Sequence, residues 1–164
     1  MAPVRWTGMR CMSGERFTLD TNVLVYSVDG GAGWRQQAAL QIIELAARAD
    51  CWLTLQSLSE FYAVATRKRM MLPERAAETA RIWLDLLPVA TASEASVRTA
   101  LAAASVGRAS YWDALLVATA AEAGCAVVLT EDMAGGSSLD GVRVLNPFAD
   151  GDLAPAARSL LASE

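Results

Sequence analysis

The chain has 164 residues, 54% of them apolar, with a mean hydropathy of +0.28; that suffices for one domain core and excludes a disordered or linker-like protein. It carries 18 acidic and 14 basic residues, a net charge of −4, and no histidine. The missing histidine excludes Ser-His-Asp and Cys-His nucleophiles, histidine-based ribonucleases and the usual zinc sites, so any hydrolysis has to run on carboxylates with a hard cation held by oxygen.

Residues 1–15 show no periodicity and are expected to form a disordered extension. A strand is predicted over 16–19, ending at Asp20, and a short helix over 22–28. A glycine-rich loop leads to an amphipathic helix over 34–49, with Ala38, Ile42, Leu45 and Ala49 on one face. A buried strand follows over 51–55, then a helix over 57–70 with Leu58, Phe61, Tyr62 and Ala65 inward. Pro73 suits the first turn of a helix running to about 87. A short strand over 88–91 precedes a helix over 93–105 that stops near Gly107. Residues 110–123 read as a long apolar helix ended by Gly124. The run 125–129 is the clearest strand, apolar throughout as in a strand buried on both faces. A last strand is predicted over 142–145 and a terminal helix over 152–162. Strands alternating with helices predict an α/β fold, a parallel sheet with helices on both faces.

Cys11, Cys51 and Cys125 match neither a zinc pattern nor a disulfide framework, no run is apolar enough to span a membrane, and no signal peptide is visible. A reduced, cytoplasmic protein without a membrane partner is expected.

In open α/β sheets, ligands bind beyond the carboxyl ends of the strands. Asp20 and Asp132 lie there, after the first strand and after the strand that ends at Leu129. Glu60 and Asp113 are placed in the first turns of helices, within Ser57-Leu58-Ser59-Glu60 and Ser110-Tyr111-Trp112-Asp113. Taken singly each acid has a plain structural explanation: two capping boxes, a helix cap and a turn residue before Gly135-Gly136. Taken together they do not. Two carboxylates about 5 Å apart repel by roughly 3 kcal/mol at an effective dielectric near 20, so no fold gathers four of them for stability. A shared dication reverses the sign. Setting those four acids aside leaves acids and bases equal in number.

The segment Phe17-Thr18-Leu19-Asp20-Thr21-Asn22-Val23-Leu24-Val25-Tyr26 resembles the opening of PIN domains, particularly the VapC toxins of bacterial toxin–antitoxin pairs. Leu58-Ser59-Glu60-Phe61-Tyr62, Tyr111-Trp112-Asp113-Ala114-Leu115-Leu116, Leu129-Thr130-Glu131-Asp132-Met133 and Val144-Leu145-Asn146-Pro147-Phe148 are similar to the later motifs, in order. The resemblance implies a PIN domain over 16–148, three layers α/β/α around a mostly parallel sheet of four to five strands, with 149–164 a helical tail. It also implies a Mg²⁺- or Mn²⁺-dependent endoribonuclease, usually a homodimer, held inactive by a VapB-like antitoxin. Asp20, Asp113 and Asp132 would ligate metal directly or through water, and Glu60 would ligate it or orient the attacking water. Asn22 and Thr130 would be polar supports of the acids. Glu131 adjoins Asp132, and either supplies a fourth carboxylate; the family pattern, with the acid two residues after Thr130, favours Asp132.

Arg67, Lys68 and Arg69 continue the helix that carries Glu60, and are candidates for contacts with RNA phosphates or a solvated helix face. Trp34, Trp52, Trp83 and Trp112 are expected in the core or at an interface, with Trp83 facing a dimer partner. A phospho-aspartate enzyme would need a lysine late in the chain, and the only one is Lys68. The remaining alternative is a non-catalytic PIN-like module that binds nucleic acid or protein.

Overall fold

A computed structural model describes residues 14–162, so the disorder expected over 1–15 falls, save for the last two residues, outside the described chain. The elements are β1 (Phe17–Leu19), α1 (Thr21–Val28), α2 (Trp34–Ala46), β2 (Leu53–Thr54), α3 (Leu55–Arg67), α4 (Pro73–Leu86), β3 (Val89–Ala90), α5 (Glu94–Ser105), α6 (Tyr111–Glu122), β4 (Val127–Leu129), β5 (Ser138–Leu139), β6 (Val142–Leu145), β7 (Phe148–Ala149), β8 (Asp152–Leu153) and α7 (Pro155–Leu161). β1, β4 and β6 are parallel neighbours in that order, and β5 closes the edge antiparallel to β6. The parallel pair β2–β3 joins at the other side of β1, where Phe17 bridges Cys51 and the Trp52 amide donates to Phe17 O at 2.9 Å. The predicted α/β class with a mostly parallel sheet is the observed one.

Successive residues of a strand point to opposite faces, and the core divides accordingly. Phe17, Leu19, Val127 and Leu129 pack with α1 to α4 on one face, whereas Val128 packs with Val142, Val144 and α6 residues Leu116 and Val117 on the other. Helix α6 is buried from Ala114 through Ala120 because its remaining side meets α5, where Ala100, Ala103 and Ala114 let the two helices approach closely. Gly124, at φ 78°, ends α6 in the left-handed conformation that L side chains resist, and β4 starts three residues on.

Several expectations need correction. The strand expected over 51–55 shrinks to a bridge at Cys51 and the pair Leu53–Thr54, because the Thr54 hydroxyl accepts the Ser57 amide at 3.0 Å and so caps a helix starting at Leu55. Ser57 is therefore inside α3, donating to Leu19 O at 3.1 Å, and the capping box drawn from it to Glu60 does not exist. Glu60 lies in the second turn. Tyr62, expected inward, is exposed. Trp83, expected toward a partner, is buried edge-on against Phe61 with ring centroids 4.6 Å apart. Two hairpins were not anticipated: Asp140-Gly141 and Asp150-Gly151 both have positive φ, the two-residue turn that suits the twist of antiparallel strands. The second hairpin and α7 pack Phe148, Leu153 and Leu161 into the main core. Among the described residues, no helix is long and apolar enough to cross a membrane.

Candidate active site

Strand register builds the first wall. Leu19 pairs with Leu129, and Leu129 with Leu145, so Asp20 and Thr130 leave adjacent strands side by side. The Asp20 amide donates to Leu129 O and the Thr130 amide to Leu145 O, each at 3.0 Å. The buried Thr130 hydroxyl donates to Asp20 Oδ2 at 2.7 Å and accepts from Asn22 Nδ2 and the Asp132 amide, each at 3.1 Å, so its proton and both lone pairs are used. Asn22 Nδ2 also reaches Asp20 Oδ2 at 3.0 Å, and Asp20 Oδ1 caps α1 by accepting the Thr21 amide at 2.6 Å. One threonine thus fixes the carboxylate after β1 and the backbone of the acid after β4.

The opposite wall comes from α3 and α6. Glu60 Oε2 accepts from the Thr21 hydroxyl and Oε1 from Gln56 Nε2, each at 3.0 Å. The same Gln56 nitrogen donates to the Trp112 carbonyl at 3.0 Å, tying α3 to the first turn of α6. Asp113 stands in that turn, its amide donating to the Ser110 hydroxyl at 3.1 Å; this is half of the expected capping box, without the returning bond from the carboxylate to the Ser110 amide. Glu131 and Asp132 differ in their partners. Glu131 accepts from the Tyr26 hydroxyl and, at 3.1 Å, from Arg35 Nε, in a cluster where Tyr26 and Trp34 both pack edge-on against Phe148. Asp132 instead lines the cleft.

That cleft has a volume of about 420 Å³, and Asp20, Glu60, Asp113 and Asp132 all line it. Burial raises the Asp20 pKa from 3.8 to about 6; the Thr130 and Thr21 hydrogen bonds oppose the rise, and the charges of Asp132 and Asp113 add to it. Like charges felt by a half-buried carboxylate are the electrostatic mark of a site arranged for something other than stability. Burial and the Glu131 bond push the Tyr26 phenol to about 12, so at neutral pH it remains a donor on the cleft wall. Among the described residues no three carboxylates converge into a ready-made metal cage. Among the described residues, Lys68 is the one cation lining the cleft. Arg69, with φ 55°, lines a neighbouring groove with Thr66 and Leu72, and Arg67 lines neither, so the basic trio is divided.

Gln56, Thr21, Tyr26 and Arg35 were not singled out from the sequence. Gln56 stands four residues before Glu60, the spacing of one helical face, and that signal was available. Nothing local marks Arg35 as the partner of a residue 96 positions away.

A model of the PIN domain family matches residues 17–134. No curated protein sequence matches the chain significantly. Among solved structures, VapC20 of Mycobacterium tuberculosis, a toxin that cleaves the sarcin–ricin loop, superposes with a TM-score of 0.57 at 17% identity, covering 71% of this chain and 91% of that one. VapBC2 of Rickettsia felis, bound to a fragment of promoter DNA, gives 0.58 at 16% identity, with coverage of 78% and 96%. DNA-bound VapBC of Salmonella typhimurium gives 0.57 at 17%, with coverage of 79% and 96%. At these identities the likeness speaks for the fold, while the family match spans most of the chain and takes in all four acids: the chain belongs to the PIN domain family.

Proposed function

We propose that this protein is a metal-dependent endoribonuclease and the toxin of a type II toxin–antitoxin pair. The observation that carries the proposal is the meeting of Asp20, Glu60, Asp113 and Asp132, from four separate segments, around one cleft. Membership of the PIN family and the likeness to a toxin that cleaves the sarcin–ricin loop support RNA as the substrate.

The donor set fits Mg²⁺ or Mn²⁺. Its donors are hard carboxylate oxygens, and such a cation keeps several waters and needs only one or two direct carboxylates, so a preformed cage is not required. Asp20, Asp113 and Asp132 would hold it directly or through water, with Glu60 beside them. When bound, the cation supplies an acidified water and takes up charge on the phosphate. The remaining work belongs to the chain. Thr130 and Asn22 fix one oxygen of Asp20, and Thr21 and Gln56 fix the two oxygens of Glu60. Lys68 meets a phosphate at the cleft wall, while Val25, Val64 and Met70 exclude water from part of it.

A VapB-like antitoxin is the proposed inhibitor, as two of the structural neighbours are toxin–antitoxin complexes. A homodimer in the cytoplasm is the proposed working form; Ile82 and Leu86, one turn apart and exposed on α4, offer apolar surface for it. Purified protein incubated with total RNA and Mn²⁺, followed by end mapping, tests the activity. Cleavage at discrete sites that is lost with EDTA and with Asp20→Asn is expected. Cleavage indifferent to both would count against the proposal.

A further inference from the structure

We infer that Trp112 is a stacking platform for an unpaired base next to the scissile phosphate. The inference rests on the ribonuclease proposal and adds the means by which an acidic cleft holds RNA. Trp112 directly precedes Asp113 in the first turn of α6, and the residue is 59% exposed. The other tryptophans among the described residues are engaged. Trp83 is 6% exposed in the core, Trp34 lies under the Arg35 guanidinium at 4.8 Å, and Trp52 lies under Arg16 at 4.6 Å. The ring contact of Trp112 is edge-on with its own neighbour Tyr111, centroids 5.2 Å apart.

The backbone beneath the indole is held in place. Gln56 Nε2 bonds both the Trp112 carbonyl and Glu60 Oε1, and Ser110 caps the turn, so the backbone that carries the ring is tied to Glu60 and to the turn of Asp113. A rigid aromatic group loses little conformational entropy on binding. The charge balance makes such a group necessary. Among the described residues the cleft is lined by five acids, Asp29 and the four of the proposed site, and by a single cation, Lys68, so phosphate contacts inside it supply little affinity. Stacking on an aromatic face is indifferent to charge and to base identity. In a duplex both faces of a base are covered, so the platform selects unpaired RNA. A protein interface is the rival role for an exposed tryptophan. The residues around this one are polar, with Gln56 bonded to its carbonyl and Ser110 and Asp113 in the same turn, unlike the apolar centre of an interface.

The test uses the full chain, with Trp112→Ala and Trp112→Phe, and a short single-stranded RNA of mixed sequence. In EDTA, where cleavage is not expected, the RNA should quench tryptophan fluorescence in the wild type and not in Trp112→Phe. The Kd should rise about tenfold in Trp112→Ala and be largely restored in Trp112→Phe, and the matching duplex should bind none of the three. With Mn²⁺, KM should rise by a similar factor while kcat stays within about twofold. Wild-type binding and KM in Trp112→Ala overturn the platform, and so does a change of oligomeric state in that variant by size exclusion. A wild type that cleaves while indifferent to Trp112 refutes the platform and leaves the nuclease standing. A wild type that binds RNA through Trp112 yet never cleaves refutes the nuclease and leaves the platform.

Discussion

Strand β1 ends in a different electrostatic setting at each terminus. Just before it, Arg16 gives Nε to Asp50 at 3.0 Å and Nη1 to the Ala123 carbonyl at 2.7 Å, and lays its guanidinium over Trp52 at 4.6 Å. Just after it, Asp20 is half-buried among like charges with its pKa raised to about 6. Each group at the amino end meets a partner of opposite character, which holds β1 to β2 and to the end of α6. Asp20 at the carboxyl end shares a cleft with Glu60, Asp113 and Asp132; the hydrogen bonds of Thr130 and Asn22 hold Asp20 there, and those of Thr21 and Gln56 hold Glu60. One end serves stability, and at the other the burial of Asp20 is a cost that the proposed cation would offset.

The sharpest way to break this contrast is to remove one acid. Asp113→Asn should lower Mn²⁺-dependent RNA cleavage by on the order of a thousandfold while leaving the circular dichroism unchanged. Retained cleavage would mean that Asp113 is only a helix-turn residue.

The second test reads the cost directly. Because the folded pKa of Asp20, about 6, exceeds its ordinary 3.8, the folded state takes up this proton before the unfolded state does. The penalty is fully present above pH 6, shrinks as pH falls, and is gone below 3.8. Metal-free protein should therefore gain up to roughly 3 kcal/mol from this group on acidification, and Asp20→Asn should flatten that part of the profile. Urea titrations in EDTA at several pH values measure it, and a wild-type slope that Asp20→Asn reproduces would remove Asp20 as its source.

A third variant addresses the support beneath the acids. Thr130→Val keeps the shape of the side chain but deletes the bonds that join Asp20, Asn22 and the Asp132 amide, and should reduce cation affinity or cleavage by about 10- to 100-fold. Calorimetric titration with Mn²⁺ is the check; wild-type affinity would show the threonine to be packing alone.

The smallest effect belongs at the other end. Arg16→Ala loses a partly exposed ion pair and a cation–π contact, and should cost about 1 to 2 kcal/mol of stability with cleavage unchanged at saturating RNA. A loss of activity beyond that of folded protein would show that the two ends are coupled.

Much of this was legible in residue order. The continuous apolar run at 125–129 and the proline and glycine boundaries of α4 and α6 gave the alternation of strand and helix. The four acids were nominated by position and by their resemblance to a family, since each alone passes for a cap or a turn. Other features were present but passed over: Asp140-Gly141 and Asp150-Gly151 are hairpin signals, and Thr54 is a better cap than Ser57 because a helix can start as soon as a side chain takes its free amides.

The sequence by itself determined most of the helices and the parallel strands, because hydrophobic period and capping are local, and it nominated four carboxylates for the site because the chain has no histidine. Only the tertiary structure decided which acid follows β4 into the cleft, which of Arg67, Lys68 and Arg69 reaches it, and which tryptophan stays in water. Those outcomes depend on strand register and on partners scores of residues apart: Arg35 captures Glu131 and frees its neighbour Asp132, and no local pattern encodes a contact between distant segments.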